Sequence, residues 1–96
     1  MQAKKLSPVQ IKQHLARLDG WAKRGKEIVK TFKFKDFHET MKFVNAVAKI
    51  ANKENHHPDM EVGYNRCVVH YSTHSVGGLS ENDFICAAKI ETLLIV

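Results

Sequence analysis

Apolar residues recur along this chain at two periods, and the changes of period mark its elements. After Ser7-Pro8, the residues Val9, Ile11, Leu15 and Leu18 follow near-helical spacing. Serine suits the cap and proline the first turn, so a helix is predicted to start there. Asp19-Gly20 stops it, because glycine accepts the left-handed conformation that ends helices. Trp21 to Lys23 predicts a short strand and Gly25 a turn. Glu27 to Phe34 predicts a second strand, with Ile28, Phe32 and Phe34 on one face.

Asp36 to Asn52 carries the strongest helical signal. Asp36 is placed to cap, with Glu39 three residues on as in a capping box. Phe37, Met41, Val44, Val47, Ala48 and Ala51 form one apolar stripe at helical period. Asn55-His56-His57-Pro58-Asp59 breaks the pattern, because a residue before proline avoids the helical region. A short strand is predicted over Glu61 to Tyr64 and a longer one over Arg66 to Thr73. In the longer strand Cys67, Val69 and Tyr71 face inward, while Val68, His70 and Ser72 face the other side. Gly77-Gly78 makes a loop, and Ser80 caps a last helix running through Phe84, Ala87, Ala88 and Leu94.

The order helix, two strands, helix, two strands, helix predicts an α+β fold, as one domain over residues 1–96. Its helices pack on one face of an antiparallel sheet. The other face is left to solvent or to an oligomer.

Composition narrows the classes. No apolar run reaches the roughly 20 residues of a membrane span, and no apolar region follows the first residues as in a signal peptide. The expected location is the cytoplasm, with the nucleus added in a eukaryote. Cys67 and Cys86 form no CxxC pair and read as small buried hydrophobes. The net charge of +5 is uneven: residues 1–53 hold 13 Lys and Arg against 4 Asp and Glu, and residues 54–96 hold 2 against 6. The lysines are scattered rather than clustered, which reads as solvated surface rather than a nucleic-acid footprint.

Four of the six histidines fall between residues 56 and 74. Imidazole titrates near pH 6.5, so it donates or accepts protons near neutrality. His56 and His57 lie in a loop after a helix, and His74 ends a strand, positions from which side chains reach a cleft. His14, His38 and His70 read as surface or filler. His70 and His74 have the i, i+4 spacing of a helical metal site, but on a strand they stand about 13 Å apart. That is too far for one metal with ligands at about 2 Å, so no metal is expected. Asp83 has two compatible readings: it completes a capping box with Ser80, or it orients a histidine. No nucleophile motif or phosphate loop is present.

Together, Asn55-His56-His57-Pro58-Asp59, Tyr64-Asn65, Ser72-Thr73-His74, Gly78-Leu79-Ser80 and Asp83 resemble the signature of the pterin-4a-carbinolamine dehydratases in order and spacing. Leu18-Asp19-Gly20-Trp21 extends the resemblance over nearly the whole chain. It implies a four-stranded antiparallel sheet with three helices on one side, in dimers or tetramers. It implies dehydration of 4a-hydroxytetrahydropterin to quinonoid dihydropterin, which recycles the pterin of aromatic amino acid hydroxylases. The pterin is then substrate, and no cofactor is needed.

Carried over by position, the resemblance puts His56, His57, His74 and Asp83 in the active site. His56 and His74 transfer protons, His57 binds substrate, and Asp83 holds His74. Ser72, Thr73 and Met60 are further substrate contacts. Two positions depart from the family: Asn52 replaces a frequent acidic residue, and Met60 a frequent aromatic one. The family fold also serves in animals as a dimerisation cofactor of a homeodomain transcription factor, which makes a non-catalytic partner role the alternative reading.

Overall fold

A computed structural model describes residues 3–94. Its elements are α1 (Pro8–Leu15), β1 (Ala22–Arg24), β2 (Glu27–Lys33), α2 (Phe37–Glu54), β3 (Asp59–Val62), β4 (Arg66–Tyr71), a single 3-10 turn (His74–Val76) and α3 (Glu81–Thr92). The four strands form one antiparallel sheet in the order β1-β2-β4-β3. None of the described helices is long and apolar enough to cross a membrane.

Each helix starts where a polar side chain takes up free amides. Ser7 Oγ accepts from Gln10 N, and Gln10 Oε1 accepts in return from Ser7 N. Asp36 Oδ1 accepts from Glu39 N at 2.9 Å. The Glu39 carboxylate reaches Lys35 N rather than closing a box on Asp36. Ser80 caps α3, and Asp83 closes that box by accepting from Ser80 N. The first helix is shorter than predicted: α1 ends at Leu15, and Leu18 packs from the turns that follow. The third strand begins at Asp59 rather than Glu61, because Asp59 pairs with His70 and draws the chain into the sheet directly after Pro58.

One sheet face carries the core. Ile28 and Phe32 of β2 alternate inward beside Cys67, Val69 and Tyr71 of β4. They cluster with Phe43 and Val47 of α2, and with Phe84, Ala87 and Ile90 of α3. Burying each large apolar side chain stabilises the fold by about 1.5–3 kcal/mol. Cys67 and Cys86 are buried free thiols, and burial pushes both thiol pKa values up, as fits apolar filler.

The buried face of α2 is turned from the predicted stripe. It centres on Thr40, Phe43, Val47 and Ala51, whereas Phe37 is 49% exposed and Met41, Val44 and Ala48 are half-buried. Two contacts set this rotation. Thr40 Oγ1 donates to the carbonyls of Asp36 and Tyr64, both at 2.9 Å, and Phe43 packs between Phe32 and Phe34.

An ionic contact ties the helices to the sheet. Lys30 Nζ lies 2.9 Å from both Glu91 carboxylate oxygens and donates to Asp19 O, while Trp21 Nε1 donates to Glu91 Oε2. Among the described residues, no helix lies on the opposite sheet face. There His70 bridges two carboxylates, Glu27 Oε1 at Nδ1 (2.7 Å) and Glu61 Oε2 at Nε2 (2.6 Å).

Candidate active site

The C-terminus of α2, the end of β4 and the start of α3 converge on one group of polar side chains. Asn55 closes α2 in the left-handed conformation (φ 52°), one that asparagine tolerates better than most residues. The turn reverses the chain, and His56 N donates back to Ala51 O at 3.0 Å. Pro58 prevents the helix from continuing. His56 is thereby directed at α3, where its Nε2 lies 2.6 Å from Asp83 Oδ1.

Asp83 is completely buried, a costly place for a carboxylate unless donors surround it. Its Oδ2 accepts from Ser80 N (2.9 Å) and Thr73 Oγ1 (2.8 Å). Thr73 Oγ1 also lies 2.6 Å from Ser80 Oγ. The Thr73 proton is directed to Asp83, so Ser80 donates to Thr73. Ser80 Oγ in turn accepts from Asn82 N. Every hydroxyl proton and carboxylate oxygen in the group has a partner, leaving Oδ1 to receive the His56 ring. This network assigns the proton of neutral His56 to Nε2 and leaves Nδ1 as the acceptor.

The His56 side chain is 14% exposed, so one edge still reaches solvent. His57, next along the loop, is exposed, and its Nε2 donates to Asn52 Oδ1 at 3.0 Å. Asn52, the family's frequent acidic position, therefore acts here as a neutral acceptor for His57. His74 is exposed and opens the 3-10 turn directly after Thr73. The bridge between Thr73 and Gly78 holds the base of that turn.

The structure gathers His56, Asp83 and Thr73 by direct bonds, with His57 and His74 each one residue from a member of that group. Two expectations change. Asp83 bonds His56 and makes no hydrogen bond to His74, because the His74 turn carries that side chain outward while the end of α2 points His56 inward. Thr73 was expected to touch substrate, but it is 5% exposed and its hydroxyl is committed to Asp83 and Ser80. Ser72 is exposed. Met60, on the inner face of β3 opposite Val69, is half-buried against the core.

Ser80 caps α3 and belongs to the Gly78-Leu79-Ser80 motif, and Tyr71 faces the core. Both touch the site: Ser80 through Thr73 and Asp83, and Tyr71 by donating to His56 O at 3.2 Å. Spacing signals the cap at Ser80 but not these cross-chain contacts. His14 stacks on Phe84 with ring centroids 4.8 Å apart, outside this group. Among the described residues, no three His, Cys, Asp or Glu side chains are grouped to hold a metal ion.

Residues 4–93 match the family model described as pterin 4 alpha carbinolamine dehydratase. A Nitrosospira multiformis protein named for this enzyme is 61% identical over 88 residues, covering 92% of this chain and 78% of its own. A Bdellovibrio bacteriovorus protein with the same name is 58% identical over 92 residues, covering 92% and 77%. The crystal structure of a transcriptional coactivator/pterin dehydratase from Brucella melitensis superposes with a TM-score of 0.90 at 36% identity, covering 93% of this chain and 97% of that one.

Proposed function

The chain belongs to the pterin-4-alpha-carbinolamine dehydratase family, and on that premise we propose that it dehydrates 4a-hydroxytetrahydropterin to quinonoid dihydropterin. The reaction breaks the C4a–O bond, removes the proton from N5 and forms the C4a–N5 double bond, with the oxygen leaving as water. It needs one group to protonate the departing hydroxyl and another to accept the N5 proton. Imidazoles suit both tasks near neutral pH. The product supplies the recycling of the pterin that aromatic amino acid hydroxylases consume.

His56 and His74 are the proposed proton-transfer groups, and the exposed His57 is a proposed substrate contact. The observation that carries this reading is the bond from buried Asp83 to His56 Nε2, which places the ring proton at Nε2 and leaves Nδ1 unengaged among the described residues. Stopped-flow dehydration of chemically generated 4a-hydroxytetrahydropterin tests it. The wild type is expected to accelerate the reaction, and His56→Ala and His74→Ala each to lose about 10²-fold or more. Full turnover in both variants contradicts the assignment.

Self-association into a homodimer or homotetramer is also proposed. Phe37, Met41, Val44 and Ala48 leave a half-exposed apolar stripe along α2, suited to cover a second copy. The same stripe favours the second reading, a non-catalytic partner role like the coactivator in the Brucella protein's name. A folded wild type without dehydratase activity would select that reading.

A further inference from the structure

We propose that Tyr71 is a positioning residue that fixes the orientation of the His56 imidazole, an inference that rests on the dehydratase reading above. Tyr71 is the last residue of β4, faces the core and is fully buried. Its hydroxyl donates to His56 O at 3.2 Å, and its ring lies nearly parallel to the His56 ring, with centroids 5.3 Å apart and planes inclined by 21°. One side chain thus holds both the backbone and the ring of His56.

The surroundings show why that matters. His56 N is held by Ala51 O at 3.0 Å. On the carbonyl side the only other donor among the described residues is the Cys86 thiol, at 3.9 Å and weak. Without the Tyr71 hydroxyl, the peptide after His56 could rotate about its flanking bonds, and the ring would turn with it. The bond to Asp83 alone fixes one ring atom, which leaves the imidazole plane free to swing about that contact. Tyr71 packs along the plane and removes this freedom, so Nδ1 keeps one direction. Burial raises the Tyr71 phenol far above its ordinary range, so it stays a donor wherever the enzyme works.

A tyrosine acting only as core filler would affect stability and nothing else. Tyr71→Phe separates the roles, because it keeps the ring and removes the donor. Phe43→Leu, a core change between Phe32 and Phe34 away from His56, is the control for lost stability. We expect Tyr71→Phe to lower kcat about tenfold with KM within about twofold. Nitrogen NMR of the His56 ring should show shifted ring resonances, as expected of a ring that has changed its orientation. Phe43→Leu should lose stability with kcat and the His56 spectrum unchanged.

An unaltered kcat and unaltered His56 spectrum in folded Tyr71→Phe overturn the proposal. An equal kcat loss in Phe43→Leu, with the His56 spectrum unmoved in both variants, also overturns it. If the wild type itself does not dehydrate the substrate, the functional reading fails. The ring spectrum of Tyr71→Phe then still decides whether Tyr71 orients His56.

Discussion

Asp83 reaches His56 across 27 positions of sequence and meets its Nε2 at 2.6 Å, with the second carboxylate oxygen held by Ser80 N and Thr73 Oγ1. The carboxylate is therefore a fixed acceptor. Asp83→Asn keeps the shape but not that property. With two donors on one side, the amide oxygen turns toward Thr73 and Ser80, and the amide nitrogen faces His56. Its ring must then accept at Nε2 and carry its proton on Nδ1, the reverse of the wild-type tautomer. A folded Asp83→Asn should lose about 10²–10⁴-fold in kcat by stopped-flow dehydration.

Thr73→Val tests the support behind Asp83. The change is nearly isosteric but removes the hydroxyl that links Ser80 to the carboxylate. Asp83 Oδ2 keeps one donor, and the buried Ser80 hydroxyl loses its acceptor. Urea denaturation should show a loss of about 1–3 kcal/mol. Turnover should also fall, because the carboxylate that aims His56 is less firmly held.

His70 makes stability depend on pH from the sheet face opposite the core. Burial opposes its charged form, but hydrogen bonds to Glu61 and Glu27 and their charges outweigh it, so its pKa is raised. Both ring nitrogens face carboxylates, an arrangement only the imidazolium satisfies with two donors. A raised folded pKa gives stability that is full below the unfolded value of about 6.5 and is lost as pH rises through the folded pKa. Denaturation of wild type and His70→Gln at a series of pH values should show the wild-type advantage shrinking from acid toward alkaline conditions. A constant difference would remove His70 as the cause.

Gly20 is predicted to resist substitution by alanine. It sits at φ +82°, and an added Cβ would come within 2.9 Å of Lys30 Cε. Lys30 cannot move away freely, since it holds Glu91 and Asp19 O. Gly20→Ala should lower the urea midpoint at constant slope, a loss of about 1–2 kcal/mol from the left-handed backbone alone.

Much of this was legible in the sequence where the cause is local. Ser7, Asp36 and Ser80 each cap the helix that follows, and the alternation over Arg66 to Thr73 sorts Cys67, Val69 and Tyr71 inward, as the shorter strand Arg66–Tyr71 has them. Features set by distant partners were not legible. The rotation of α2 follows from Thr40 meeting Tyr64 O, and the start of β3 from Asp59 pairing with His70. The motif order brought His56, His57, His74 and Asp83 into view together. Which histidine Asp83 serves depends on how α3 lies against the end of α2, and no spacing along the chain encodes that.

The strand order β1-β2-β4-β3 also has a consequence for assembly. β1 and β2 can close as a local hairpin, but β2 meets β4 only after α2 has intervened, and the Glu27–His70 contact joins positions 43 apart. Such non-local pairing slows folding. Asp83 lies later still, on the last helix. During synthesis the chain therefore holds His56 without its carboxylate until α3 has emerged and docked, so the proposed site is completed in the same event that closes the core.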